Sequence, residues 1–323
     1  LNKIDTFDTG VREILPVLQP ASAKPLVLRQ IPIWENGIAT GFVDLALERA
    51  FVYREHAPSE VVDMPEGLLE RQKEARFHML EQLADYDDEL MEQLLSDMQP
   101  PRDKVFDDLA KELREGLICP VFLGSAERGN GIFRLLKALR HEAPFVETTA
   151  ARLGVEGAPS AAYVFKSVHT AHGGKLSLAR VLTGEIPDGA TVIGPDGEDR
   201  VGGISSLLGQ ETRKRQSAKA GDTVALGRLD HIKTGDTISI DRNGAPQIET
   251  PPPPQPVYGV ALALKDRKDE VKLSTALGKL VEEDASLSVE QNSDTHQLVL
   301  LGQGEMHLRV ALERLNRKYG VAV

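Results

Sequence analysis

The chain has little sulfur chemistry, few aromatic rings and no long apolar run. It carries one cysteine, Cys119, and one tryptophan, and aromatic residues make up 5% of its 323 positions. A single thiol excludes an internal disulfide and suits a reducing compartment, so a cytoplasmic protein is expected. Cys119 stands in the apolar run "LICPVFLG", and a buried small hydrophobe is expected there rather than a nucleophile. No stretch approaches the roughly 20 apolar residues of a membrane-spanning helix, and no signal-peptide layout opens the chain. Also missing is GxxxxGK[ST], the loop that cradles nucleotide phosphates. The nearest approach, "HGGKL" at residues 172–176, has Leu where a magnesium-binding hydroxyl is needed; its flanks read as strands, so a turn is expected. "DRVG" from 199 and "DRNG" from 241 read as chance DxxG matches. His169 and His172 have no companion at ligand spacing and read as loop residues, so no metal site is expected. His307, near the start of a helix, is expected to pack or hydrogen-bond. No nucleophile–base–acid arrangement stands out, and no catalytic residue is assigned within the chain.

What is present begins with charge. The formal charge is −11, with 38 basic and 49 acidic residues. Residues 1–150 hold 17 basic and 27 acidic side chains, 151–250 hold 12 and 12, and 251–323 hold 9 and 10. The acidity therefore belongs to the first segment, which suits a basic partner. The others can still meet a phosphate backbone through local clusters. The best cluster is "ETRKRQSAK", with Arg213, Lys214, Arg215 and Lys219; a solvated loop is the competing reading.

Two short motifs carry recognition chemistry. The chain opens "LNKID", and "CPVFLGSAERGNG" follows from residue 119. Guanine presents two adjacent N–H donors, at N1 and N2, and a carboxylate such as Asp5 accepts both. Adenine would leave that carboxylate unpaired, the kind of penalty that gives roughly 10⁴-fold discrimination. Lys3 is placed to lay its alkyl stem along a base, and the Asn2 amide to tie neighbouring loops together. In "GSA", Gly124 permits a tight turn after a strand, and small residues let the backbone N–H groups of Ser125 and Ala126 approach a carbonyl oxygen.

Along the chain, strands are expected in "PLVLRQIPIW", "TGFVDLALERAFVYR" and "SEVVDMP". A helical stretch over 66–97 follows, with Phe77, Leu80, Leu83, Ala84, Leu90 and Leu94 at helical spacing. After "PPRD" a second helix carries Val105, Leu109 and Leu113 on one face. A strand, "GLICPVFLGS", leads to a helix with Ile132, Leu135, Leu136 and Leu139 as its apolar stripe. The middle segment alternates in short runs between Gly turns, the signature of a small antiparallel barrel. A stiff "TPPPPQP" spacer precedes the order strand (257–264), helix (268–282), strand (286–291), strand (296–302), helix (304–318) and a final strand "GVAV". That is the βαββαβ, ferredoxin-like order.

In this order the residues resemble bacterial elongation factor G. "CPVFLGSAERGNGIFRLLKAL" is similar to the end of that family's GTPase domain. "GKLSLARVLTGEIPDGATV" and "AGDTVALGRLDHIKTGDTI" are similar to its second domain, and "KDEVKLSTALGKLVEEDASLSVEQ" and "LVLLGQGEMHLRVALERLNRKYGV" to its third. Gln303 and "GRLDHI" depart from the family's usual residues, which favours an elongation-factor-G-like paralogue. The resemblance implies a multidomain α/β plus β-barrel fold. Residues 1–150 would be the C-terminal part of a P-loop GTPase domain with an insert over about 25–116, residues 151–250 a barrel and residues 251–323 a ferredoxin-like domain. It implies guanine recognition by Asn2, Lys3 and Asp5 with Gly124, Ser125 and Ala126. It also implies a fragment that starts at the fourth guanine-nucleotide motif and stops after the third domain. GTP or GDP with Mg²⁺ belongs to the full-length, ribosome-stimulated GTPase of translocation; neither nucleotide binding nor hydrolysis is expected of the fragment. The implied partners are small-subunit ribosomal RNA at the barrel and the ribosomal stalk protein at the acidic insert, with no membrane and a monomeric state. The alternatives are a regulatory ribosome-binding module without hydrolysis, or a release factor 3-like or tetracycline-protection-like relative.

Overall fold

The computed structural model describes residues 1–6, 10–170, 174–209, 211–264 and 267–323. His172 lies outside them. The chain divides into two units, Leu1–Pro144 and Phe145–Val323.

The first unit runs α1 (Val11–Leu18), β1 (Leu26–Leu28), β2 (Gln30–Glu35), β3 (Ile38–Asp44), β4 (Arg49–Arg54), β5 (Ala57–Val62), α2 (Leu69–Ala84), α3 (Asp88–Leu95), α4 (Arg102–Arg114), β6 (Cys119–Val121) and α5 (Ile132–Glu142). β1 and β6 pair in parallel, and the residues between them form an antiparallel meander, β2–β3–β4–β5, covered by helices. One core joins the sheet to the helices through Leu45, Met79, Leu83, Leu90 and Leu109. Each such side chain contributes about 1.5–3 kcal/mol on burial.

Four sequence expectations change here. The helical stretch breaks between Ala84 and Asp88, because Asp87 turns its carboxylate onto the Leu90 N–H at 2.9 Å and caps a new helix, α3. Phe77 is exposed, since the inward stripe of α2 is Ala75, Met79 and Leu83, at i, i+4 and i+8. Leu135, Leu136 and Leu139 of α5 also face outward. The opposite stripe is anchored instead: Arg134 Nε donates to Asp44 at 2.8 Å, Ala138 is buried, and Glu142 receives Arg29 at 2.8 Å. Cys119 is exposed, because the sheet that holds it has two strands and leaves it uncovered among the described residues.

The second unit begins with α6 (Val146–Arg152) and continues through β7 (Ala161–His169), β8 (Lys175–Thr183), β9 (Glu185–Pro187), β10 (Thr191–Gly194), β11 (Gly197–Arg200), β12 (Ile204–Leu208), β13 (Glu211–Arg215), β14 (Ser217–Lys219), β15 (Thr223–Gly227) and β16 (Thr237–Ile238). Six strands form one antiparallel sheet in the order β13–β12–β15–β8–β7–β16, and β9–β14 and β10–β11 pair beside it. A bridge from Ile193 to Ser239 joins the β10–β11 hairpin to the chain beyond β16. Val164, Val181, Ile186, Val192, Leu226 and Ile238, from all three sheets, share one buried core, as alternating strands that curl around a common interior require.

After the proline tract come β17 (Tyr258–Leu262), α7 (Glu270–Glu283), β18 (Ser288–Gln291), β19 (Leu298–Gly302) and α8 (Glu305–Tyr319). The sheet order β17–β19–β18 is antiparallel. The expected strand at "GVAV" is not formed. Gly320, at φ +62°, caps α8 by donating to Asn316 O at 2.8 Å, and Val321 then turns into the core. His307 hydrogen-bonds as expected, Nδ1 accepting from Gln303 N and Nε2 lying 3.1 Å from Asp284.

Candidate base-recognition loops and a basic groove

Backbone bonds bring residues 1–5 against the loop after β6. The Leu1 nitrogen donates to Phe122 O at 2.6 Å, Gly124 N to Leu1 O at 3.0 Å, and Ile4 N to Gly124 O at 3.1 Å. Asn2 then ties the two motifs together, its Oδ1 accepting from Lys3 N at 2.8 Å and Ala126 N at 2.9 Å. Ser125 N donates to Asn130 O at 3.0 Å. Both "GSA" amides are thus engaged inside the protein. Only glycine fits at position 124, where a Cβ would come within 2.6 Å of Asn130 O. Lys3 is exposed and adopts φ +64°.

Asp5 has a side chain 9% exposed. Its Oδ2 accepts from Arg128 Nε at 3.0 Å. Oδ1 is buried without a hydrogen-bond partner of normal geometry, and the Ser125 hydroxyl lies beside the carboxyl. Burial opposes the charge on Asp5, and Ser125, a backbone amide and Arg128 together outweigh it, holding the carboxyl below its ordinary value. The site is therefore an ionised carboxylate with one oxygen held by Arg128 and the other buried without a partner.

In the second unit, the predicted cluster is strand rather than loop: Arg213, Lys214 and Arg215 lie in β13, and Lys219 closes β14. Lys214 and Arg215 line a groove of about 680 Å³ together with Arg200 and Arg228, while Arg213 and Lys219 stand outside its lining. Arg215 is steadied by Asp222 at 2.8 Å, and Arg200 Nε donates to Gly189 O at 3.0 Å. Arg228, at φ +62°, lays its side chain over Gly202, where a Cβ would meet Arg228 Cδ at 2.4 Å. Four cations against Asp188, with glycines in the lining, suit an extended phosphate-bearing ligand. Sequence reading misses Arg200 and Arg228 because they sit on separate segments that only the fold brings together. Among the described residues, no group of three His, Cys, Asp or Glu is placed to hold a metal ion, and no helix is long and apolar enough to cross a membrane.

The model for elongation factor G domain 2 matches residues 159–241, and that for elongation factor G domain III matches 253–323. The elongation factor G-like protein of Synechocystis sp. is 43% identical over 323 residues, which is 99% of this chain and 47% of that protein. The chain is similar to elongation factor G in both matched domains. A crystal structure from Thermus thermophilus superposes with a TM-score of 0.84 at 27% identity, over 99% of this chain and 47% of that one. The chain thus spans about half the length of these relatives. Within the elongation factor G layout, the antiparallel sheets of the second unit are domain 2 and the segment after the proline tract is domain III.

Proposed function

We propose that this chain is part of a ribosome-stimulated GTPase of the elongation phase, working in the cytoplasm. Asn2, Lys3 and Asp5 read guanine beside Gly124, Ser125 and Ala126. The observation that carries this reading is Asp5, a charged and nearly buried carboxylate with an unpartnered Oδ1, held next to the "GSA" loop by the Asn2–Ala126 bond. The phosphates of GTP or GDP, and Mg²⁺, are held by residues of the full-length protein outside this chain. The groove of Arg200, Lys214, Arg215 and Arg228 rests on small-subunit ribosomal RNA. The carboxylate excess of residues 1–150 faces the ribosomal stalk protein.

Base contacts without phosphate contacts forfeit the charge-assisted part of nucleotide affinity. Titration of this chain with a fluorescent GDP analogue tests that division of labour. Binding weaker than about 10 μM is expected, and tighter binding would place phosphate contacts within the chain and contradict it.

A further inference from the structure

One charged residue of the base-recognition loop has no role in the reading above. Arg128 Nε holds Asp5 Oδ2 at 3.0 Å and leaves Oδ1 unpartnered. Arg128 is in turn held by its backbone: its carbonyl accepts from His56 N at 2.9 Å, at the tip of the β4–β5 hairpin. Gly129, at φ +72°, packs so closely there that a Cβ would sit 3.0 Å from His56 Cα. A carboxylate oxygen has two acceptor sites, so Oδ2 can keep Arg128 on one and present the other to a ligand. Reading two adjacent N–H groups requires the carboxylate plane to be fixed. The planar, directional guanidinium supplies that. Among the described residues the leading charge acting on Asp5 is that of Arg128, and β3 packs on the Ile4–Thr6 turn.

We propose that Arg128 is a positioning residue for base recognition, fixing the plane of the Asp5 carboxylate from a backbone site anchored on His56. This role rests on the proposed reading of Asp5 as the base-recognising group.

The test is NMR titration of this chain with guanosine and, separately, adenosine, across a range of pH, for the parent chain, Arg128→Gln and Arg128→Lys. Guanosine, and not adenosine, is expected to shift the Ser125 and Ala126 amides. Arg128→Gln is expected to weaken guanosine binding about three- to tenfold and to move the acid loss of binding to higher pH. Arg128→Lys is expected to restore the pH profile but not the affinity, because an ammonium carries no fixed donor plane. Unchanged affinity and pH profile in Arg128→Gln would overturn the positioning role and leave the reading of Asp5 standing. A parent chain that distinguishes neither nucleoside would overturn both.

Discussion

His169 Nε2, at the end of β7, lies 2.7 Å from Oε2 of Glu282 in the last turn of α7. The other Glu282 oxygen binds Lys175 at the start of β8, and Glu283 takes the His169 backbone N–H together with Lys318 of α8. Two carboxylates at a helix C-terminus oppose the helix dipole, so these cations and donors stabilise what would otherwise be an unfavourable end. They also tie α7 to the strands β7 and β8 inside one unit.

Replacing Glu282 with Gln is therefore expected to cost about 1–3 kcal/mol, read as faster hydrogen exchange of the α7 amides. Burial works against the Glu282 charge, but Lys175 and His169 outweigh it and hold the carboxyl below its ordinary value. A depressed acid stabilises above its unfolded value, about 4.3, and that contribution is lost as pH falls through the lower folded value. Parent α7 protection should fall with acid, and Glu282→Gln should flatten that dependence. Identical exchange in both would contradict the clasp.

Glu112 of α4 gives the opposite sign. Both its carboxylate oxygens are buried without a partner, and burial, reinforced by Asp108, pushes its carboxyl up to about 8. The folded state then holds a proton that the unfolded state releases. That stability is fully present below about 4.3 and is lost as pH rises through about 8. The single tryptophan, Trp34, lies in the first unit, so its fluorescence during urea unfolding reports that unit. The parent is expected to lose a few kcal/mol between pH 5 and 8.5, and Glu112→Gln to lose much less.

Arg29 is fully buried, bonded to Glu142 and flanked by Phe106 and Phe122 at 5.9 and 5.1 Å. Glu142→Ala strands that charge and is expected to destabilise the first unit by about 3–5 kcal/mol. The double change Arg29→Met with Glu142→Leu removes both charges and should recover most of the loss. The same Trp34 unfolding signal checks it, and additive losses would show that the pair is not coupled.

In the basic groove, Lys214→Ala and Arg228→Ala are each expected to weaken binding to small ribosomal subunits. Each should also reduce the slope of log affinity against log salt by about one. Binding measured by sedimentation at several salt concentrations checks this. Unaltered slopes would remove the groove from the interface.

Much of this architecture is legible in the sequence, because alternation and Gly punctuation mark β7, β8 and β15 of the six-stranded sheet and 3.6-residue spacing marks α4 and α7. What periodicity does not supply is direction. The leucines of α5 form a regular apolar stripe, yet within this chain the face that is held is that of Arg134 and Glu142, through partners 90 and 113 residues away. "GVAV" reads as a strand by composition, but its glycine is spent as the cap of α8. At the proposed base-recognition loops, "NKID" and "GSA" are readable as motifs. Arg128 stands two residues past "GSA", but its bond to Asp5 spans 123 positions and emerges only when the loops meet.

The most direct test of the proposed function is GTP turnover by the full-length protein, with and without ribosomes. Strong stimulation by ribosomes is the predicted result and would place these domains in a working translational GTPase. Turnover that ribosomes leave unchanged would contradict the proposal and mark the domains as a binding or regulatory module on the same scaffold.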